Sequence, residues 1–202
     1  ELTLELMSLE RPLVVALNMM DEAARKGIVI DADKLSKLLG VPVVTTVAAA
    51  GRGLTDLLRA ALSAGRAGVR PTQTLFARDV EEEIDSLADR LDFAFSQTLG
   101  MPWRFMLVKA LEDDPYVIDE IGGRDPEAVH WVRNSQKILA QSHGRPPETV
   151  ISSERHALSV NIFEHVAKVL PATKPDWRER LDKIATDRFW GLVLLVAVLS
   201  AF

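Results

Sequence analysis

The chain has 202 residues, with 24 Lys plus Arg against 29 Asp plus Glu, a formal net charge of −5 and no cysteine. The acidic balance argues against a protein held on nucleic acid mainly by phosphate contacts. The missing thiols exclude disulfides, thiolate zinc or iron–sulfur sites and a cysteine nucleophile, and a 48% hydrophobic share with 26% charged residues is that of a globular chain of one or two domains.

Leu2, Leu4, Leu6 and Leu9 among glutamates and serine read as helix from the first residues. There is no initiator methionine and no basic-then-apolar start of a signal peptide, and the expectation is a piece of a longer protein. Residues 13–17 (LVVAL) form a continuous apolar run, as a parallel strand buried on both faces would. A polar-edged loop follows at residues 18–21. Residues 31–39 read as a helix capped by Asp31, with Leu35, Leu38 and Leu39 on its apolar face and Gly40 at its end. Residues 41–46 (VPVVTT) are a second β-branched strand, followed by a loop over residues 47–53 and a helix over about residues 54–62. Strand, loop and helix twice over predict a parallel sheet with crossover helices, an α/β unit.

The stretch Gly65-Arg66-Ala67-Gly68 through Pro71 reads as a linker, and beyond it no strand pattern convinces. Phe76, Val80, Ile84, Leu87, Leu91 and Phe95 recur every three or four residues, one helical stripe. Pro102 opens a helix bearing Trp103, Met106, Leu107, Ala110 and Leu111. Asp125-Pro126 caps another that Gly144 stops, and Pro146-Pro147 lead into a third. Pro171 and Pro175 precede an amphipathic helix with Trp177, Leu181 and Ile184. Residues 189–202 (FWGLVLLVAVLSAF) are then apolar without a charge. That run is shorter than a membrane span. Phe189 and Trp190 resemble an interfacial aromatic belt, and Arg178, Arg180, Lys183 and Arg188 stand just before it as on a cytoplasmic flank. The tail therefore reads as the start of a transmembrane helix, with a buried core helix as the alternative.

In open parallel sheets, ligands sit at the carboxyl ends of the strands. Two loops occupy such ends here, and the first has the form Asn-x-x-Asp with Asn18 and Asp21. A carboxylate there can accept two parallel hydrogen bonds from guanine N1–H and its 2-amino group, a donor pair that adenine lacks. Asn18 can bond the base or brace the neighbouring loop, Met19 can lie on the purine face, and small Ala48 lets a backbone N–H approach a base carbonyl. The same four residues also fit an ordinary loop whose Asp21 caps the next segment, and spacing alone leaves both readings open.

Residues 12–58, with their Asn18-Met19-Met20-Asp21, the following Glu22-Ala23 and Lys26-Gly27-Ile28, and the strand Leu39-Gly40-Val41-Pro42-Val43-Val44, resemble the end of the G domain of FeoB-type ferrous iron transporters. Glu154-Arg155-His156 and residues 181–191 extend the likeness. The resemblance implies a fold: the C-terminal part of a P-loop GTPase G domain (residues 1–66), an all-α helical regulatory domain that stabilises the GDP-bound form (72–170), an amphipathic linker helix (171–188) and the start of the first transmembrane helix (189–202). It implies GTP/GDP binding, with Asn18 and Asp21 matching the guanine-specificity motif. Met19 stands where most small GTPases have Lys. Val47-Ala48 match the last G motif, normally Ser-Ala, so Val47 removes a hydroxyl expected to brace the loop. Further implications are Fe(II) as the transported ion, Mg2+ bound in the parent protein, a homo-oligomer, small accessory transport proteins, no nucleic acid, and a bacterial inner membrane with residues 1–188 on the cytoplasmic side.

No Gly-x-x-x-x-Gly-Lys-Ser/Thr is present, and the switch threonine and Asp-x-x-Gly magnesium motif are expected upstream of Glu1. The chain alone is therefore expected neither to bind GTP usefully nor to hydrolyse it. A ribosome-assembly type of soluble GTPase with a helical appendage, and a non-enzymatic helical scaffold, are the competing readings. The histidines His130, His143, His156 and His165 are too scattered for a ligand pair. Glu81-Glu82-Glu83 with Asp85 reads as a solvated helix face, and Glu112-Asp113-Asp114 as a solvated turn after a helix. Trp103, Trp131 and Trp177 read as core or domain-contact residues.

Overall fold

The computed structural model describes residues 1–91, 100–170 and 185–200. Its α/β part begins with α1 (Leu2–Met7), β1 (Val15–Leu17), α2 (Met20–Arg25), β2 (Ile28–Ile30), α3 (Ala32–Leu39), β3 (Val43–Thr45) and α4 (Leu54–Ala67). β1 and β3 pair in parallel, Val15 opposite Val43, Ala16 opposite Val44 and Leu17 opposite Thr45. α3 forms as its signals predict: the Asp31 carboxylate accepts the Lys34 N–H at 2.9 Å, and Gly40 closes the C-terminus in a left-handed conformation. Two elements, α2 and β2, appear where the sequence predicts none. MDEAAR makes barely two turns, and three residues of β2 are too few for a periodicity to show. α4 runs five residues beyond its expected end, so the stretch read as a linker is still helical as far as Ala67.

Leu4, Met7, Leu39 and Val41 form the small core of this part, with Leu13, Val15, Leu35 and Val43 packed against it. α4 contributes little to it. Its Leu54, Leu58 and Leu62, spaced by four along one face, are exposed, Leu58 at 67% and Leu62 at 63%.

The helical part comprises α5 (Arg78–Ala88), α6 (Trp103–Leu111), α7 (Pro115–Gly122), α8 (Pro126–His143) and α9 (Pro147–Val166). The predicted stripe is the core: Val80, Ile84, Leu87 and Leu91 are buried with Met106, Leu107, Leu111, Val132, Leu139 and Ile151. Phe95, the last member of that stripe, lies outside the described residues, as do Pro171, Pro175, Trp177, Leu181 and Ile184. Of the tryptophans, Trp131 packs against the core and Trp103 is partly exposed at the start of α6. α9 is a 20-residue rod, about 30 Å long. Val150 and Ile151 in its first half enter the helical core, while Leu158 and Ile162 in its second half pack against the α/β core.

The acidic run at residues 112–114 forms a turn with Asp113 exposed, as expected, but its acids are engaged rather than free. Glu112 takes Lys109 at 2.8 Å and Arg155 at 2.6 Å. Asp113 pairs with Arg133, and Asp114 caps α7 by accepting the Tyr116 and Val117 N–H groups. Glu81 likewise leaves the expected solvated face, accepting both the Arg104 guanidinium and the Phe76 N–H at 2.6 Å. α7 was hidden in the sequence because its signals, Asp114 and Pro115, follow the preceding helix by only three residues.

The chain divides into two compact units, Glu1–Met20 with Ile30–Ala167, and Asp21–Val29 with Lys168–Phe202. A short strand, β4 (Ala167–Val169), pairs with β2, against the expectation of no strand beyond residue 76. In the second unit the apolar tail forms α10 (Trp190–Ser200), whose start Asp187 caps by accepting the Phe189 and Trp190 N–H groups at 2.9 Å. Among the described residues no helix is long and apolar enough to cross a membrane.

A hydrogen bond joins α5 to the end of α8: His143 Nε2 lies 2.5 Å from Asp79 Oδ2. This hydrogen bond holds the Asp79 carboxyl below its ordinary range, against a smaller opposing effect of burial. A depressed carboxylate stabilises the fold above its unfolded pKa, and that contribution is lost as pH falls through the folded value. An Asp79→Asn variant is therefore expected to be less stable than the parent at pH 7. The gap should close as pH falls below about 4, read by urea titration at each pH. A gap that persists at pH 2 contradicts the assignment.

Candidate functional site

The carboxyl ends of β1 and β3 carry the two loops singled out in the sequence. β1 ends at Leu17, whose carbonyl accepts the Thr46 N–H at 2.9 Å, and this bond continues the parallel ladder past the strand ends. Asn18 therefore emerges directly opposite the start of the second loop. Its Oδ1 accepts the Ala48 N–H at 3.0 Å and the Thr46 hydroxyl at 3.1 Å. The amide braces the loop, one of the two roles the sequence left open. The Ala48 N–H, expected to meet a base carbonyl, is donated to Asn18 instead, because the ladder brings the two backbones within reach of one side-chain amide.

The second loop is held mainly by its own backbone. Val47 N–H donates to the Arg52 carbonyl at 3.1 Å and Arg52 N–H returns to Val47 at 3.2 Å. Ala48–Ala50 close a 3₁₀ turn inside that bridge. The hydroxyl missing at Val47 is thus not what holds this loop. Gly53 ends it at φ 77°, and a Cβ there would stand 2.3 Å from the Thr45 carbonyl oxygen. Only glycine fits where the chain crosses back over β3 before entering α4.

Thr46 joins these two loops without having been singled out in the sequence. It is 2% exposed, and its hydroxyl fixes the Asn18 amide. Nothing in the run VPVVTT separates it from an ordinary strand threonine. Met19 has φ 61° and is 60% exposed, so its side chain stands free at the strand end. Ala49 N–H, between the two hydrogen-bonded turns, has no protein acceptor among the described residues. Asp21 belongs to the second compact unit, in the exposed first turn of α2.

Glu154-Arg155-His156 prove to be structural. Glu154 accepts the Ala77 N–H at 2.9 Å, Arg155 pairs with Glu112, and His156 Nδ1 meets Glu1 at 2.6 Å. Three consecutive residues of α9 thereby hold three separate segments. Lys109 extends this network to Glu5 of α1. That bond keeps the Glu5 carboxyl below its ordinary range, against the opposing effect of burial. No group of three His, Cys, Asp or Glu that could hold a metal occurs among the described residues. The one Asp-x-x-Gly string, Asp119 to Gly122, lies inside α7 rather than after a strand.

The architecture is the C-terminal part of a P-loop GTPase G domain followed by an all-helical domain. It matches a GDP-bound NFeoB mutant from S. thermophilus with a TM-score of 0.73 and 25% identity, over 83% of this chain and 63% of that one. A second NFeoB mutant from the same organism, bound to GMPPNP, matches with a TM-score of 0.68 and 25% identity, over 80% of this chain and 62% of that one. Residues 1–61 match the family described as Ferrous iron transport protein B, and residues 76–168 match the FeoB cytosolic helical domain. The chain belongs to the FeoB family. The Fe(2+) transporter FeoB of Salmonella typhimurium is 32% identical over 98% of this chain. The Fe(2+) transport protein A/Fe(2+) transporter FeoB fusion protein of Porphyromonas gingivalis is 27% identical over 96%. The chain spans about a quarter of these relatives, 24% of each.

Proposed function

We propose that this chain is the guanine-reading and coupling portion of a GTP-dependent Fe(II) transporter, with residues 1–66 as the end of the G domain, 72–170 as the helical regulatory domain, 171–188 as a linker helix and 189–202 as a membrane entry. One observation carries the reading: the Asn18 amide at the end of β1 holds the backbone of the Val47-Ala48 loop at the end of β3. A strand-end loop pinned by a neighbouring amide is prepared to read a base rather than to adapt to it.

In this reading Asp21 accepts guanine N1–H and the 2-amino group. The unpaired Ala49 N–H meets the base carbonyl, Met19 covers a ring face, and Val47 and Ala48 line the edge. Phosphate binding and hydrolysis belong to residues that this sequence lacks. Mg2+ does not fit the donors present, since the sequence has no Gly-x-x-x-x-Gly-Lys-Ser/Thr and its one Asp-x-x-Gly string lies inside α7, so no step here runs through it. Fe(II) is cargo, carried by parts of the protein outside this chain. The uncovered leucine stripe of α4 supports the reading, because it is the face that further strands of a G domain would bury. Membrane attachment on the cytoplasmic side, self-association and small accessory transport proteins belong to the same proposal.

Asp21→Asn in the full-length transporter is the test. The amide keeps its shape but loses the doubly accepting carboxylate, and GDP affinity should fall by about a hundredfold in a fluorescent-nucleotide titration. Xanthosine diphosphate, whose 2-carbonyl accepts from the new amide, should recover part of the loss. Unchanged GDP affinity removes the guanine site from this chain. A ribosome-assembly GTPase would need a basic RNA-binding domain in the parent, which the net charge of −5 and the apolar α10 disfavour.

A further inference from the structure

A cavity of about 240 Å³ lies where the segment connecting the α/β part to the helical part passes α1, α6 and α9. All of its walls belong to one compact unit. The apolar lining is Leu4 and Met7 of α1, Val108 of α6, Leu158 of α9 and Phe76. The connecting segment is fixed at three points. Thr72 N–H donates to the Leu39 carbonyl at 2.9 Å, Phe76 N–H to Glu81 at 2.6 Å and Ala77 N–H to Glu154 at 2.9 Å. The wall is therefore held in place, as the walls of small-molecule sites are.

Two guanidiniums line the same space. Arg104 is 8% exposed, and its one protein acceptor among the described residues is Glu81, reached through Nη2 at 2.6 Å. Arg155 likewise gives only Nη2, to Glu112 at 2.6 Å. A guanidinium carries five N–H donors, so most of each fork is unmatched by protein. No buried side-chain nitrogen among the described residues lacks a partner, and the unmatched donors are therefore open to water or to a ligand. Charge alone does not draw an anion here, because Arg70, Arg104, Lys109 and Arg155 pair with an equal number of acids, Glu5, Glu10, Glu81 and Glu112. Acceptor geometry is what selects. A planar carboxylate takes two parallel N–H bonds from one fork, which a carboxamide with its single acceptor oxygen cannot.

We propose that this cavity is a binding site for a small organic carboxylate with an apolar body, the carboxylate held by Arg104 and Arg155 and the body by Leu4, Met7, Val108 and Leu158. Size sets the class. A volume of about 240 Å³ is below the roughly 300–1,000 Å³ of sites for drug-sized ligands, so a nucleotide is too large and a single-ring or short-chain acid fits. A bound acid touches α1, the connecting segment, α6 and α9 at once, and stabilises their junction by mass action. None of the lining residues belongs to the loops at residues 18–21 and 47–53, and the site stands whether or not those loops read guanine.

Phenylacetate is the probe and phenylacetamide its neutral isostere, each titrated against the full chain by saturation-transfer NMR. The acid should bind about tenfold more tightly than the amide. Thr74→Trp places an indole in the cavity from a half-buried position of the connecting segment, and should abolish binding of the acid. Arg155→Lys keeps a cation beside Glu112 but loses the fork, and should weaken the acid about tenfold while leaving the amide as it was. Phenylacetate should also raise the urea midpoint of the parent chain and not that of Thr74→Trp, a readout that shows at the same time whether the variant folds. Equal binding of acid and amide overturns the proposal, as does acid binding that survives Thr74→Trp. No binding of phenylacetate by the parent chain overturns it as well. Full displacement of phenylacetate by equimolar inorganic phosphate has the same consequence, because the apolar wall would then contribute nothing.

Discussion

Leu107→Ala is expected to lower the unfolding free energy of the chain by about 4 kcal/mol. Leu107 is fully buried in α6 among Val80, Ile84, Leu111, Val132 and Ile151. The loss has two parts, the transfer energy of the deleted carbons and the cavity that remains. Helices α5, α7, α8 and α9 all pack against α6, so no single neighbour can move inward to fill the space without breaking its other contacts. Urea denaturation followed by far-ultraviolet circular dichroism should show the midpoint shift with an unchanged slope. A loss below about 1.5 kcal/mol means the site collapses easily and α6 is not the centre of the helical core.

Glu81→Ala should cost about 3 kcal/mol by a different route. Arg104 is 8% exposed and its guanidinium rests on Glu81 at 2.6 Å. The same carboxylate oxygen accepts the Phe76 N–H, which fixes the entry into α5. Deleting the carboxylate leaves a charge buried without its anion and a backbone donor without its acceptor. Replacing both charges together, Glu81→Leu with Arg104→Met, should cost clearly less than Glu81→Ala alone, because no buried charge is then abandoned. If the double variant is as unstable as the single, the pair is valued for its shape and not for its charge.

Local signals in this chain were readable wherever one residue acts on its own backbone. Asp31 and Asp125 announce their helices because a short carboxylate satisfies N–H groups two or three residues on, and both do so here. The core stripe from Val80 to Leu91 was legible because helical period is a property of neighbours in sequence. Asn18, Val47 and Ala48 were legible as a group, from their places after two apolar runs, but the direction of their hydrogen bonds was not. That Ala48 donates to Asn18, and that buried Thr46 completes the set, depends on the register between β1 and β3. Register is set by side chains on both strands and the helices over them.

Glu112 shows the same limit from the other side. Read locally, three acids after a helix belong in water. Lys109 on the preceding turn and Arg155 on α9 make Glu112 a half-buried junction instead. No pattern in the sequence links residues 112 and 155.

By itself, the sequence determined the class of each half, the caps of its helices, the apolar stripe and the family to which the chain belongs. The tertiary structure alone decided which acids are paired, that Asn18 braces a loop, and that the Gly27 carbonyl meets the Leu170 N–H. The physical reason is range. Capping and helical period act over three or four residues, whereas ion pairs, strand pairing and close backbone approach join residues far apart in the chain, and exist only once the intervening helices have packed.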